Sequence, residues 1–399
     1  MNIFRKFYCR AFQLVFKLAI PLLPYKQPKI LQSVSDAARA MKGLRVKRAF
    51  IVTDAGVMSH GLCDGLTAAL DELKIEYAIY DKTVPNPTVA TVEDARAKYA
   101  AEGCDAIIAV GGGSPIDLAK AVGARVAKPK KSLNAMAGIL RVGKKLPPLF
   151  AVPTTAGTGS ETTLAAVITD DETHRKFAIN DFPLIPRYAV LDYKLTLGLP
   201  KAITAQTGMD ALTHAVEAYI GKSTTRDTRK KAISAVKLVH DNLKACYDNP
   251  DDETARKNML YAAHYAGIAF TKSYVGYAHA VAHSLSGRYG LAHGLTCAVL
   301  LPVTLESYGK AAHKKLARLA REIGIATERD KPADAAKAFI DRTYEMNEYL
   351  GIPKGFDAIQ VLDIPQMAKF ADKEGNPLYP VPKLFDAKQL EKLYYKVKL

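Results

Sequence analysis

Asp210 and His214 stand four residues apart in Gly208-Met209-Asp210-Ala211-Leu212-Thr213-His214, and a later run supplies His279, His283 and His293. On a helix a spacing of four is one turn along one face, so the carboxylate and the imidazole project the same way. Two more imidazoles from the later run complete a three-histidine, one-carboxylate pocket for a divalent transition metal. That donor set accepts iron, zinc, nickel or cobalt, so metal supply helps decide among them. His60, His174, His240 and His264 fall outside the pattern and read as ordinary satisfied histidines.

The elements that must position these groups fall into two kinds. From about residue 44 to 200, strand-like and helix-like segments alternate. Ala49–Thr53, Tyr77–Tyr80 and Ala106–Val110 read as strands, and Leu62–Leu73 and Val92–Ala101 as helices. Such alternation predicts a parallel sheet covered on both faces. From residue 201, segments of helical period dominate: Ile203–Tyr219, Thr228–Tyr247, Asp252–Ala269, His313–Ile323 and Ala333–Leu350. β-branched runs are scarce there, which predicts an all-helical second half beginning after Leu199-Pro200.

Two small-residue loops follow strand-like runs. Gly111-Gly112-Gly113-Ser114-Pro115 lets the backbone approach a ligand closely. Ser114 as N-cap, Pro115 at the first helical position and Asp117 in a capping box would expose a helix N-terminus to a pyrophosphate. Pro153-Thr154-Thr155-Ala156-Gly157-Thr158-Gly159-Ser160-Glu161 is the second loop, rich in hydroxyls. Either alone is an ordinary turn; together they predict a nucleotide cradle. Asp54, ending the first strand, is either a turn-former or a carboxylate for a ribose 2′-hydroxyl, which would repel the 2′-phosphate of NADP.

Composition limits the remaining possibilities. The 399 residues are 49% hydrophobic and 24% charged, without long repeats or low-complexity tracts, as expected of a folded chain of two or three domains. Five scattered cysteines without a Cys-x-x-Cys spacing predict a reducing compartment, the cytoplasm, and no disulfide framework. Lys and Arg exceed Asp and Glu by 56 − 40 = 16. No nucleic-acid motif accompanies that excess, so it reads as solvated basic faces that also attract an anionic cofactor.

In the first 29 residues, Ile3, Phe4, Phe7, Tyr8, Phe12, Val15, Phe16 and Ile20 are apolar. Arg5, Lys6, Arg10, Gln13 and Lys17 form a polar stripe, and Pro21 and Pro24 stop the helix. The segment is too short and charged to span a bilayer and lacks the cleavage site of a signal peptide. It is expected to pack on its own body or on a second subunit; lying on a membrane surface through residues 1–20 is the less favoured alternative.

The two loops, the Asp210–His214 motif and the His279–His293 run, in this order and spacing, resemble the iron-containing (group III) alcohol dehydrogenases over residues 30–399. That resemblance implies an α/β N-terminal Rossmann-like dinucleotide-binding domain (30–200) and an all-α C-terminal metal-binding domain (201–399), after a basic amphipathic N-terminal extension (1–29). It implies metal ligation by Asp210, His214, His279 and His293, with Fe(II) as the metal and Zn(II) or another divalent ion as substitutes. It also implies NAD contacts from Asp54, Asn86, Gly112, Gly113, Ser114, Thr154, Thr155, Thr158, Thr163 and Lys176. His283 would lie near the nicotinamide, as a proton relay or a positioning group.

The reaction implied is reversible hydride transfer between a small primary alcohol or diol and its aldehyde, by a homodimer. Alternatives are a metal- and NAD-dependent lyase of the dehydroquinate synthase type and a non-catalytic metal- or nucleotide-binding protein. The chain departs from the family pattern in Leu291-Ala292-His293-Gly294-Leu295-Thr296-Cys297, where many members have Pro before the last ligand and Ala-Asn after the following Gly-Leu. Tyr277-Ala278 before His279 is a second local change.

Overall fold

The computed structural model describes residues 1–172 and 176–399, so His174 lies outside the described residues. Two compact units emerge: Pro24–Leu197, and Met1–Leu23 together with Gly198–Leu399. The sequence divisions at 29/30 and 200/201 thus fall at 23/24 and 197/198, and the N-terminal segment is part of the helical unit instead of a separate extension.

Among the described residues nine strands order the first unit: β1 (Lys29–Leu31), β2 (Arg48–Val52), β3 (Glu76–Tyr80), β4 (Ala106–Gly111), β5 (Gly138–Ile139), β6 (Leu149–Pro153), β7 (Ala165–Thr169), β8 (Lys176–Asn180) and β9 (Tyr188–Val190). Six form one sheet in the order β1-β9-β6-β4-β2-β3, with every pairing parallel. β4 and β6 are buried along their whole length, as parallel strands covered on both faces must be. Period-two alternation divides the side chains of β2 and β4 between two cores. Phe50, Val52, Ile107 and Ala109 face one side, and Ala49, Ile51, Ile108 and Val110 the other.

Strand β2 pairs with β3 on one edge and β4 on the other, so the chain reverses its direction of winding there. The carboxyl ends of β2 and β4 flank this switch point, where open α/β sheets bind ligands. Asp54 follows the first and Gly112 the second. The alternation of segments left residues 165–180 without assigned strands. They hold the antiparallel pair β7–β8, with β5 alongside, and Ala166, Ile168 and Ile179 turn into the core.

The second unit is helical, as its periodicity predicts. Helices at Lys201–Ile220, Arg226–Asp248, Glu253–Ser273, Lys310–Glu322 and Pro332–Tyr349 lie within a few residues of the expected ranges. Asp252 caps the third of these, accepting from Ala255 N at 2.9 Å. Two more, Tyr277–Tyr289 and His293–Tyr308, carry the histidine run.

Candidate metal centre and cofactor loops

Asp210 and His214 lie on the Lys201–Ile220 helix, buried and one turn apart. His279 is in the first turn of the Tyr277–Tyr289 helix, and His293 begins the next. Gly294 permits the approach: a Cβ there would lie 2.5 Å from the Gln206 carbonyl oxygen of the Asp210 helix. Asp210 Oδ1 stands 3.7 Å from both His279 Nε2 and His293 Nε2. Asp210 Oδ2 is 3.9 Å from His214 Nδ1. The His214 ring stacks on His279, centroids 4.4 Å apart, and on Phe270 at 4.2 Å.

Cys297, one turn after His293, brings its buried Sγ to 3.6 Å from His293 Nε2. Asp210, His279, His293 and Cys297 place one donor atom each within 4.8 Å of one another. Among the described residues Asp210 Oδ1 and His279 Nε2 are buried without a hydrogen-bond partner. Orphaned buried acceptors facing each other are costly unless something cationic satisfies both, so this donor set fits a divalent metal.

The orientation of His279 is fixed from behind. Its Nδ1 donates to Glu217 Oε2 at 2.6 Å, leaving Nε2 to face Asp210. Glu217 also accepts from Gly276 N at 2.7 Å and Ala278 N at 2.8 Å, so its carboxylate is anchored before it meets the ring. Burial opposes charge at Asp210, but His214, His293 and His279 hold its carboxyl well below the ordinary range. Burial likewise opposes charge on His279; Cys297, Asp210 and Glu217 outweigh it and raise the imidazole well above its usual value. Burial pushes the Cys297 thiol up to about 12.

Beside this group, His283 Nδ1 bonds Glu374 Oε1 at 2.6 Å, and the same oxygen accepts from Tyr379 Oη at 2.6 Å. The His283 ring stacks on His293 with centroids 5.0 Å apart. Sequence reasoning missed Glu217, Cys297, Glu374 and Tyr379. The first two lie on the same helical faces as Asp210 and His293, a spacing that by itself does not single them out.

In the α/β unit the two loops meet. Thr154 N donates to Gly111 O at 3.0 Å. A Cβ on Gly113 would lie 3.0 Å from Thr158 Cγ2, and one on Gly112 3.5 Å from Thr155 Oγ1. The N-cap of the Gly113–Ala127 helix is Gly112, not Ser114, and no side chain caps it. The backbone turn of the glycines starts the helix two residues earlier than the Ser-Pro signal suggests. Asp117 forms no capping box either: it accepts from Ser160 Oγ at 2.7 Å and from Val167 N at 3.0 Å. The uncapped N–H groups of that helix remain available to an anion.

Lys120 was not anticipated. Its fully buried ammonium donates to Ser160 Oγ at 3.0 Å, Thr163 Oγ1 at 2.7 Å and the Ala165 carbonyl at 2.8 Å, bracing the hydroxyl loop from below. Thr163 is thereby committed inside the protein. Asp54 Oδ1 caps the Ala55–Ser59 helix through Val57 N at 2.9 Å, so the turn-forming role is real for one oxygen of the carboxylate. Asn86, in the left-handed region at φ 58°, accepts from Lys176 Nζ at 2.8 Å, bringing those two together.

A sheet with its switch point at glycine and hydroxyl loops, joined in one chain to a helical unit with a buried carboxylate–histidine centre, defines a nucleotide-linked metalloenzyme. The family model for iron-containing alcohol dehydrogenase matches residues 30–193, and the C-terminal model of that family matches residues 204–397. The 1,3-propanediol dehydrogenase of Citrobacter freundii is 36% identical over 384 residues, 95% of this chain and 98% of that protein. Lactaldehyde reductase of Escherichia coli is 34% identical over 338 residues, covering 83% and 88%. A crystal structure of 1,3-propanediol oxidoreductase superposes with a TM-score of 0.90 at 36% identity, covering 94% of this chain and 99% of that one. The chain belongs to the iron-containing alcohol dehydrogenase family. It is a metal-dependent alcohol oxidoreductase, with iron and NAD as its cofactors.

Proposed function

We propose that Asp210, His214, His279 and His293 hold the iron, with the Cys297 thiol beside it, and that the substrates are small primary alcohols or short diols and their aldehydes. The observation that carries this reading is the facing pair of buried, unpartnered donors, Asp210 Oδ1 and His279 Nε2, the second aimed by Glu217. Relatives named for 1,3-propanediol and lactaldehyde support short, oxygen-bearing substrates.

When bound, the metal polarises the alcohol oxygen and NAD takes up the hydride. The chain's own residues do the rest. Gly112, Gly113 and Ser114 offer backbone N–H groups to the pyrophosphate, with Thr154, Thr155 and Thr158 on the facing loop and Thr163 behind it. Asp54, with Oδ1 used by the Val57 cap, leaves Oδ2 to accept from a ribose hydroxyl in this reading, favouring NAD over NADP. Asn86 and Lys176 act as one hydrogen-bonded pair at the cofactor. His283, oriented through Nδ1 by Glu374, takes the hydroxyl proton as the alcohol gives up its hydride.

Five free, buried cysteines support a reducing compartment, the cytoplasm. A homodimer is the assembly proposed, as the family resemblance implies. Anaerobic NAD⁺ reduction by a panel of alcohols, using protein stripped of metal and reloaded with Fe(II) or Zn(II), tests the reading. NADH should form only after reloading and most rapidly with short alcohols or diols. Turnover indifferent to the metal, or confined to long-chain alcohols, would sink it.

A further inference from the structure

The N-terminal helix, Ile3–Ala19, is docked the wrong way round for a helix that merely completes a core. Arg5 reaches Asp372 with both terminal guanidinium nitrogens, at 2.8 and 2.7 Å. Arg10 donates to the Val381 and Pro382 carbonyls at 2.8 and 3.0 Å. Gln13, fully covered, donates to the Pro377 and Tyr379 carbonyls at 3.1 and 2.8 Å. Cys9 is buried on the same face. Arg5, Cys9, Arg10 and Gln13 therefore line the inner side, joined by Phe16 against Tyr274 and by buried Ile20, while Lys6 and Lys17 stay exposed.

The larger part of the apolar stripe faces outward. Phe4 is 84% exposed, Phe7 76%, and Val15 and Leu18 68% each; Ile3 and Leu14 share the same face. Amphipathic helices of soluble proteins bury this side. A contiguous outward patch marks an interaction surface. Polar anchors to backbone carbonyls hold it rigidly in place.

The charge around the patch identifies what covers it. The Ile3–Ala19 helix carries no acidic residue, and with Arg5 paired to Asp372 and Arg10 held by carbonyls, Lys6 and Lys17 are its outward charges. Lys6 and Lys17 are exposed along one edge of the apolar stripe. On the body beside it, Lys315 is depressed to about 8 by burial and by the like charges of Arg229, Lys17 and Lys222. A second copy paired through this face would set two such basic clusters against each other, because a twofold contact uses the same patch twice. An anionic bilayer accepts both features: acyl chains take the phenylalanines and leucines, and headgroups take the lysines.

We propose that Ile3–Ala19 seats the enzyme on an anionic membrane surface, lying in the plane of the headgroups while its inner stripe stays bound to the helical unit. At ~1.5 Å per residue the helix lays roughly 25 Å of apolar edge along the interface. No helix of the described residues is long and apolar enough to cross a membrane, so this is attachment to one leaflet.

Flotation of the full-length enzyme with phosphatidylcholine vesicles, alone or mixed with an equal amount of phosphatidylglycerol, tests the proposal. The wild type should float with the anionic vesicles, be released by high salt, and stay largely free of neutral ones. Phe7→Glu with Leu14→Glu, which leaves every inner anchor intact, should weaken anionic binding by about tenfold or more while NADH formation is unchanged. Lys6→Glu with Lys17→Glu should weaken it too, and serves if the first variant misfolds. Wild-type protein that never floats, or a Phe7→Glu, Leu14→Glu variant that floats equally well, overturns the proposal. So does self-association in sedimentation that this variant abolishes without any vesicle binding, which gives the face to a second copy.

Discussion

Glu217 Oε2 and His279 Nδ1 are 2.6 Å apart across 62 residues of sequence, and that bond decides which imidazole nitrogen faces Asp210. A carboxylate behind a ligating histidine fixes the tautomer and strengthens the ring as a donor. Glu217→Gln should therefore cost about 10- to 100-fold in metal affinity. Competition with a chelator, read as bound metal rather than turnover, measures this directly. Unchanged affinity would make Glu217 a structural anchor for Gly276 and Ala278 only.

His214 and Cys297 both lie beside Asp210, His279 and His293, yet they should behave differently. His214→Ala should lower iron occupancy sharply, since an imidazole is removed from the proposed set. Cys297→Ser should keep one iron per chain, because the thiol lies outside the proposed set of Asp210, His214, His279 and His293. Metal analysis and the Co(II) spectrum of each reloaded variant check the assignment. Loss of metal in Cys297→Ser with retention in His214→Ala would exchange their roles.

The His283–Glu374–Tyr379 chain gives the proposed proton relay a defined route. His283→Gln should lower kcat for alcohol oxidation by about 10²- to 10⁴-fold, the usual contribution of a positioned base. Tyr379→Phe should cause a smaller loss and shift the pH profile, as Glu374 loses one of its partners. Metal content should be unaffected in both. Full turnover across pH in His283→Gln would leave that residue a positioning role at most.

Burial lowers the Lys120 ammonium to about 8 in the folded chain, against an ordinary value of 10.5. Below about pH 8 it is charged in both folded and unfolded states, and folding bears the desolvation penalty in full. Between about pH 8 and about pH 10.5 the unfolded chain binds more protons, so this group's contribution to stability rises with pH, by about 3 kcal/mol in total. Urea unfolding of wild type and Lys120→Met across that window should reveal wild type gaining on the variant as pH increases. A constant gap would place the ammonium outside its assigned range.

Asp54 serves as helix cap through Oδ1, so its charge can be tested without removing the cap. Asp54→Asn should retain folding and raise the NADP-to-NAD ratio of kcat/KM by about tenfold, by ending repulsion of the 2′-phosphate. An unaltered ratio would confine Asp54 to its local turn.

How much of this was legible in the sequence depends on the range of each interaction. Asp210 and His214 were readable because helical period alone sets their relation. The same period puts Glu217 two turns beyond Asp210 and Cys297 one turn beyond His293, but an isolated Glu or Cys gives no reason to prefer ligation support over a solvated or core position. Glu374 and Tyr379 meet His283 only through tertiary packing, and no local pattern announces them. Strands β2, β3 and β4 were readable from their apolar runs, whereas β7 and β8 were not. The Gly112 cap was not, since Ser114-Pro115 is the stronger cap signal and tertiary contact with Thr155 and Thr158 prevails over it. At the N-terminus the two stripes were plain, but which one docks was decided by carbonyls at Pro377, Tyr379, Val381 and Pro382, far along the chain.

That docking also sets an order of assembly. The Pro24–Leu197 unit is continuous and contains all its own strands, so it can fold as soon as it leaves the ribosome. The Ile3–Ala19 helix is synthesised well before its anchor sites at residues 372–382. Throughout translation it waits without them, with both its stripes uncovered. Any chaperone or lipid that meets the nascent chain encounters this helix before the metal centre exists.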